Sequence, residues 1–226
     1  MNTFIETSLV SNAKLNKTEL SKTSMSDECL GVVLAGGLSS RMGQDKTQLL
    51  RNTKSMQSML AFSVETLSHS GMSNILISGD NYDVPDTVKM SGPVGGILSV
   101  LAKYPHVQSL LILPVDLPFM TAKALTDLRL KGELSQKATY FENHNIPLYL
   151  PNSSYLELFL TQAYTHTSND PNRASHLNKG SLKKGPSIKA LLNHVPHQAI
   201  PSHDPGILFN TNTPEQWQQA KQKLNF

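Results

Sequence analysis

The 226-residue chain is most constrained at residue 35, where an apolar run gives way to a glycine-rich polar segment. Residues 30–34, LGVVL, are apolar and partly β-branched, which predicts a buried strand of a parallel sheet. Residues 35–46, AGGLSSRMGQDK, follow at once and contain three glycines, an arginine and a lysine. A strand that ends in such a loop is typical of α/β proteins, whose ligands bind at the carboxyl ends of the strands.

This glycine-rich segment has the residue types of a phosphate-binding site. Gly36 and Gly37 carry no Cβ and can adopt positive φ, so their backbone N–H groups can converge on an anion. Arg41 offers a planar guanidinium to phosphate oxygens, and Lys46 offers a mobile point charge. The sequence therefore predicts a phosphate site in which Arg41 and Lys46 supply the positive charge. The alternative is an ordinary turn between a strand and a helix.

Two common glycine-rich motifs do not fit this segment. The dinucleotide fingerprint needs G-x-G-x-x-G, whereas here two glycines are adjacent and the next is Gly43. A P-loop has four residues between its glycines and then Lys-Ser/Thr, whereas five residues separate Gly37 from Gly43 and Gln44 follows. The spacing therefore argues against both a Rossmann oxidoreductase and a P-loop nucleotidase.

A second apolar strand is expected to deliver a carboxylate to the same edge. Residues 110–113, LLIL, predict a buried strand, and Asp116 follows between Pro114 and Pro118, which restrict the backbone around it. Mg²⁺ prefers hard oxygen ligands, commonly one or two carboxylates together with substrate phosphates. Asp116 is therefore a candidate Mg²⁺ ligand, with a surface or helix-capping aspartate as the alternative.

Periodicity and capping signals predict the remaining elements. A short strand over 75–77 leads to Ser78. Helices are expected over about 56–70, 97–103, 122–130, 155–163, 188–192 and 214–224, and strands over 138–141, 146–150 and 207–209. Pro147 favours a strand start or an edge strand, and Thr213 with Gln216 three residues later predicts a capped helix start.

Length and charge suit one α/β domain acting on small molecules. Residues 29–226 are predicted to form a single domain, with a polar loop inserted at about 166–184. Residues 1–28 have few large apolar side chains and are predicted to form a flexible extension. The net charge of +3 does not indicate a nucleic-acid partner.

No stretch predicts a signal peptide or a membrane span, so a cytoplasmic protein is expected.

The cysteine and the histidines do not predict a redox or zinc site. Cys29 is the only cysteine, which suits a reducing compartment, and it is expected to be a small buried residue at the start of the first strand. His194 and His197 are separated by Pro196, so surface positions are expected for them rather than a zinc site.

The string LAGGLSSRMGQDK at 34–46 closely resembles the signature of the molybdenum cofactor guanylyltransferases, the MobA family. GPVGG at 92–96, PVDLP at 114–118 and NTNTPE at 210–215 resemble further segments of that family. The resemblance implies a three-layer Rossmann-like α/β fold of the GT-A type, with a mostly parallel sheet and helices on both faces. It also implies transfer of GMP from GTP to molybdenum-bearing molybdopterin with release of pyrophosphate, Mg²⁺ as cofactor, and contacts with proteins that mature molybdoenzymes.

The resemblance also assigns site residues. It implies catalytic roles for Arg41, Lys46 and Asp116, and metal binding by Asp116 and Asn212. The nucleotide-binding residues that it implies are Leu34, Ala35, Gly36, Gly37, Lys46, Ser78, Asp86 and Asp116. Ser78 stands where the family usually has an asparagine beside the base or ribose. A cytidylyltransferase or a sugar-phosphate nucleotidyltransferase on the same fold, and a non-catalytic GTP-binding regulator, remain alternatives.

Overall fold

The computed structural model describes residues 29–36, 45–52, 55–88, 91–165 and 185–224. The predictions for the extension 1–28 and the loop 166–184 therefore lie outside the described residues. The same holds for two of the predicted site residues, Gly37 and Arg41.

The described chain contains both strands and helices, which alternate over residues 57–141. The strands are β1 (Cys29–Leu34), β2 (Leu50–Asn52), β3 (Gln57–Ser58), β4 (Ile75–Ser78), β5 (Ser109–Pro114), β6 (Ala138–Phe141), β7 (Leu148–Pro151) and β8 (His197–Ile200). The α-helices are α1 (Met59–His69), α2 (Gly92–Lys103), α3 (Ala122–Ser135), α4 (Ser154–Thr165), α5 (Ile188–Leu192) and α6 (Pro214–Lys223). Short 3₁₀ helices cover Lys46–Gln48 and Pro205–Leu208.

The central sheet has the strand order β4-β1-β5-β7-β6-β8. Strand β7 runs antiparallel to its neighbours β5 and β6, and the other pairings within this sheet are parallel. Strands β2 and β3 form a separate antiparallel pair. The carboxyl ends of β4, β1 and β5 therefore lie side by side at one edge, which is where an open α/β sheet binds its ligand.

Helices cover both faces of this sheet. Val32 and Ile112 belong to one buried cluster, to which α2, α4 and α5 contribute. Val33 and Leu113 belong to the other, to which α1, α3 and α6 contribute. Successive residues of a strand point to opposite faces, so the continuous apolar runs of β1 and β5 fill both clusters. The predicted fold class, a three-layer α/β protein with a mostly parallel sheet, is confirmed.

Two predictions of strand structure were wrong near the C-terminal end. Residues 207–209 are not a strand: Ile207 and Leu208 are buried in a 3₁₀ helix, because the Asp204 side chain accepts a hydrogen bond from the N–H of Gly206 and starts a tight turn. Strand β8 was not predicted, since its sequence HQAI carries little apolar signal. It pairs in parallel with β6 and only Ile200 is buried.

Some predicted boundaries also shift. Helix α1 begins at Met59 with Ser58 as its N-cap, because residues 57–58 form β3 and Met56 before them adopts a left-handed φ of 52°. Helix α2 begins at Gly92, earlier than expected. Helix α3 continues through Gly132, where a Cβ would lie 2.0 Å from the Tyr149 ring, so this glycine serves close packing rather than helix termination.

The predictions for the strand after Pro147, the start of α6 and the two histidines can also be compared with the structure. Strand β7 begins directly after Pro147, which confirms the strand start that the proline favoured. It lies between β5 and β6, so the alternative of an edge strand is wrong. Helix α6 has the predicted capping box of Thr213 and Gln216. His194 and His197 are exposed, as expected. Across the described residues, the helices are too short or too polar to cross a bilayer.

Candidate active site

The strand register places the candidate site at the ends of three adjacent strands. Leu34, the last residue of β1, pairs with Ser78 of β4 on one side and with Pro114 of β5 on the other. The N–H of Val115 also donates to the carbonyl of Leu34, at 3.3 Å. The segments that begin at residues 35, 79 and 115 therefore leave the sheet together, and each carries residues that the sequence singled out.

Lys46, Asp116 and Asn212 meet at this edge from three distant parts of the chain. The Lys46 Nζ lies 3.2 Å from Asp116 Oδ2 and donates to Asn212 Oδ1 at 2.7 Å. The side chains of Lys46 and Asp116 are 17% and 19% exposed, so the ion pair is largely shielded from water yet still reachable. One cation is thus held between a carboxylate and an amide oxygen.

Asp116 and Asn212 are fixed by the segment that leads into α6. The backbone N–H and the Oγ1 of Thr211 both donate to the carbonyl of Asp116, at 3.0 and 3.1 Å. Thr211 is 1% exposed, so both hydrogen bonds are buried. The N–H of Asn212 donates to Gln216 Oε1 at 2.8 Å, which ties it to the capping box of α6. These bonds hold the carboxylate and the amide in one arrangement.

Lys46 is held by the turn in which it lies. The Asp45 side chain caps the 3₁₀ helix Lys46–Gln48: its Oδ1 accepts from the N–H of Thr47 at 3.0 Å and from the Thr47 hydroxyl at 2.8 Å. Thr47 is 1% exposed. The backbone on both sides of Lys46 is therefore anchored, and the flexible lysine side chain starts from a fixed point.

Ser78 and Asp86 form a second cluster beside the end of β1. Gly36 and Gly96 border it, since a Cβ built at Gly36 would lie 3.3 Å from Asp86 Oδ2 and one built at Gly96 would lie 2.8 Å from the Ser78 Oγ. Burial, together with the nearby charge of Asp80, raises the pKa of Asp86 above its ordinary value. A carboxylate whose ionised form is disfavoured in this way is common at functional sites.

The structure corrects the expected role of the first glycine. The N–H groups of Ala35 and Gly36 both donate to the carbonyl of Ser78, at 2.9 and 3.1 Å, so they are already paired within the sheet edge. Gly36 does not adopt the expected positive φ. Its lack of a side chain instead leaves room for Asp86. The expected contribution of Gly37 and the place of Arg41 lie outside the described residues.

Sequence reasoning missed the residues that hold the site together. Thr211 stands inside the NTNTPE segment, but only the fold shows that it is buried against Asp116. Asp45 precedes Lys46 directly, and an aspartate two residues before a hydrogen-bonding N–H is a recognisable turn signal that could have predicted this anchor.

The oxygens around Lys46 fit a hard divalent cation. Asp116 and Asn212 already converge on one positively charged group, and carboxylate and amide oxygens are ligands that Mg²⁺ accepts. Within the described ranges, no three His, Cys, Asp or Glu side chains form a metal-binding cluster. Cys29 lies at the start of β1, and burial raises the pKa of its thiol to about 11, which makes it a poor nucleophile.

A mostly parallel α/β sheet that brings a lysine, an aspartate and an asparagine together at its carboxyl edge suits an enzyme that binds phosphates and a divalent metal ion. Comparison with known families makes the assignment specific. The chain belongs to the family of the MobA-like NTP transferase domain, whose family model matches residues 31–166. The matched region contains Lys46, Ser78, Asp86 and Asp116, whereas Asn212 lies beyond it.

Individual relatives agree with this family. A molybdenum cofactor guanylyltransferase of Xanthomonas euvesicatoria is 28% identical over 192 residues, which is 83% of this chain and 91% of the relative. One of Rhizobium meliloti is 29% identical over 210 residues, 86% of this chain and 91% of the relative. The crystal structure of molybdopterin-guanine dinucleotide biosynthesis protein A from Archaeoglobus fulgidus superposes with a TM-score of 0.64 at 18% identity, covering 87% of this chain and 98% of that one, and supports the fold.

Proposed function

We propose that this enzyme transfers GMP from GTP to the terminal phosphate of molybdenum-bearing molybdopterin, which yields the guanine dinucleotide form of the cofactor and pyrophosphate. The observation that carries the proposal is the convergence of Lys46, Asp116 and Asn212 at the carboxyl edge of the sheet. The names of the two bacterial relatives support guanine as the base and the molybdenum cofactor as the acceptor.

The chemistry needs positioned charge rather than a side-chain nucleophile. A phosphate oxygen of the acceptor attacks the α-phosphorus of GTP, a new P–O bond forms, and the bond between the α-phosphorus and the bridging oxygen to the β-phosphate breaks. The electron pair and negative charge leave with pyrophosphate. Lys46 would neutralise charge on the phosphates, and the proposal gives Arg41 the same task. Holding both reactants in line accounts for much of the expected rate increase.

Asp116 and Asn212 are the residues that would hold Mg²⁺, because their oxygens already surround one cationic group. When bound, Mg²⁺ would neutralise phosphate charge between the two substrates. Lys46 is then expected to turn from Asp116 towards the triphosphate, a movement that its flexible stem permits. Thr211 and the capping box of α6 keep the two oxygen ligands in place during that exchange.

The cluster around Asp86 is the proposed site of base recognition. An ionised carboxylate only accepts hydrogen bonds, so it suits a base edge that presents adjacent donors. The guanine edge offers an N1–H and an N2–H₂, whereas cytosine offers a single amino group. Leu34, Ala35 and Gly36 border this cluster, and Ser78 adds a hydroxyl to it. Asp86 therefore supports GTP over CTP as donor, and the proposed nucleotide site extends to Gly37.

The proposal places the reaction in the cytoplasm, which a single cysteine suits, and assigns it to one domain over residues 29–226 behind the extension 1–28. Hand-over of the product to proteins that mature molybdoenzymes belongs to the same proposal.

The test is to incubate purified enzyme with Mg²⁺, molybdopterin and either GTP or CTP, and to measure pyrophosphate and the dinucleotide by mass spectrometry. GTP should give both products, and Asp116→Asn should abolish most of the turnover. Turnover with CTP but not GTP would point to a cytidylyltransferase. GTP binding that survives Asp116→Ala, without any pyrophosphate, would point to a non-catalytic regulator.

A further inference from the structure

Tyr82 lies in the turn between Ser78 and Asp86, the two residues of the second cluster. This turn, residues 79–84, follows β4: the N–H of Gly79 donates to the carbonyl of Val84 at 2.9 Å, and the N–H of Tyr82 donates to the carbonyl of Gly79 at 3.0 Å. Gly79 adopts a φ of 156°, and a Cβ there would lie 3.1 Å from both the Tyr82 ring and the N of Gly36. The ring therefore lies close to Gly79, where a side chain would crowd it.

The hydroxyl of Tyr82 reaches the turn that carries Lys46. It donates to the Thr47 Oγ1 at 2.9 Å, across 35 positions of sequence. The Thr47 hydroxyl in turn donates to Asp45 Oδ1 at 2.8 Å, and it also receives a weaker bond from Gln48 Nε2 at 3.3 Å. A continuous chain of hydrogen bonds therefore runs from Tyr82 through Thr47 to Asp45, which flanks Lys46.

We propose that Tyr82 is a positioning residue that acts through Thr47 to fix the turn from which the Lys46 side chain reaches into the site. The inference deepens the proposed function, on which its kinetic arm rests. It links the side of the site that carries Ser78 and Asp86 to the side that carries the lysine. Thr47 is almost fully buried, so its hydroxyl needs these partners, and loss of one of them loosens the turn. The hydroxyl of Tyr82 donates to Thr47 and not to one of the three converging polar groups.

The first experiment measures Lys46 directly and needs no turnover. An amine-acylating N-hydroxysuccinimide ester is applied to the full chain, and the modification rate of each lysine is followed by peptide mass spectrometry. Lys46 should react slowly in the wild type, because its ammonium is bound to two acceptors. Tyr82→Phe should raise that rate roughly two- to tenfold, which corresponds to the loss of one net hydrogen bond. Lys123, which is 81% exposed, should not change.

Matched variants separate positioning from general loosening. Thr47→Val should reproduce the effect of Tyr82→Phe, and the double variant should react no faster than either single one. Tyr155→Phe, at an exposed tyrosine of α4, should behave as wild type. An unchanged Lys46 rate in Tyr82→Phe would overturn the inference, and so would an equal rise at all lysines, which would indicate a purely structural role.

The second experiment is kinetic. Tyr82→Phe should lower kcat roughly two- to tenfold and leave the KM for GTP unchanged, whereas in a Lys46→Met background it should have no further effect. The same loss in both backgrounds would overturn the inference. A wild type that releases no pyrophosphate would refute the proposed function instead, while the acylation rates would still decide the role of Tyr82.

Discussion

Lys46→Met is the perturbation with the clearest expected outcome. Methionine keeps the length and the apolar stem of lysine but removes its charge and its hydrogen bonds to Asp116 and Asn212. If Lys46 neutralises charge on the phosphates in the transition state, turnover should fall about 100- to 1,000-fold, or about 2.7–4 kcal/mol in activation free energy. The KM for GTP should change less than kcat, because the variant mainly loses the interaction with negative charge that develops on the phosphates in the transition state.

The effect of Lys46→Met on stability should be much smaller. Two unit charges 3.2 Å apart attract by about 5 kcal/mol at an effective dielectric constant of about 20. Desolvation of two largely buried groups offsets most of that attraction. Removing the lysine leaves the Asp116 carboxylate without its ion pair, which costs about 1–2 kcal/mol of unfolding free energy. For a chain of this size the Tm should fall by about 3–6 °C.

Lys123→Met is the matched control. Lys123 pairs with Asp127 at 3.0 Å, a shorter distance than in the site, but its side chain is 81% exposed. Such a pair contributes at most about 1 kcal/mol, and this variant should retain wild-type turnover. The assay is steady-state pyrophosphate release with Mg-GTP and molybdopterin, combined with thermal unfolding followed by circular dichroism. The reasoning is refuted if Lys46→Met keeps more than about a tenth of wild-type kcat.

Three further predictions follow from the neighbours of the site. Thr211→Val removes the hydrogen bond from the hydroxyl to the Asp116 carbonyl, so it should lower the unfolding free energy by about 1 kcal/mol and lower kcat. Thr211→Ser keeps the hydroxyl and should retain most of the stability and of the turnover in the same unfolding and turnover assays. Gly96→Ala places a methyl 2.8 Å from the Ser78 Oγ and should weaken GTP binding about tenfold or more in calorimetry, an idea contradicted by an unchanged Kd. The pKa of Asp86 is raised in the folded state, so its contribution to stability is present below the ordinary carboxyl pKa and is lost as the pH rises through the folded-state pKa. Asp86→Asn should therefore raise the Tm at pH 7 but not near pH 3.5, and it should weaken GTP binding. A lower Tm at pH 7 would contradict this prediction.

The sequence predicted the parts of this fold in which burial and backbone geometry agree. The runs of β1 and β5 are apolar throughout, which is typical of strands buried on both faces, and both were predicted within one residue. The capping box of α6 combines three local signals at residues 213, 214 and 216. In these segments the local sequence alone determines the secondary structure, so a local pattern is enough to predict it.

The sequence failed where tertiary contacts override the local pattern. Ile207 and Leu208 are buried as expected, but the Asp204 turn gives them a 3₁₀ backbone that apolar content cannot distinguish from a strand. Strand β8 forms by parallel pairing with β6, whereas its own sequence contains little apolar pattern that would predict a strand. Helix α3 was expected to end at about residue 130, whereas it continues through Gly132, whose missing side chain leaves room for the Tyr149 ring.

The candidate site shows the same division. Lys46 and Asp116 could be identified from their motifs, but their convergence with Asn212 across up to 166 positions of sequence depends on the order of the strands. The anchors Thr47, Tyr82 and Thr211 are ordinary residues in the sequence. They acquire their role only from burial and from hydrogen bonds between distant segments, which no local pattern reports.

The central claim is that one site binds the triphosphate and a divalent ion between Lys46 on one side and Asp116 with Asn212 on the other. Its most direct measurement is anomalous diffraction from crystals grown with GTP and Mn²⁺ in place of Mg²⁺. The account predicts a Mn²⁺ peak roughly 2.1 Å from an Asp116 oxygen, phosphate oxygens beside Lys46, and the guanine edge at Asp86. A nucleotide bound away from this edge, or a metal that does not contact Asp116, would contradict it.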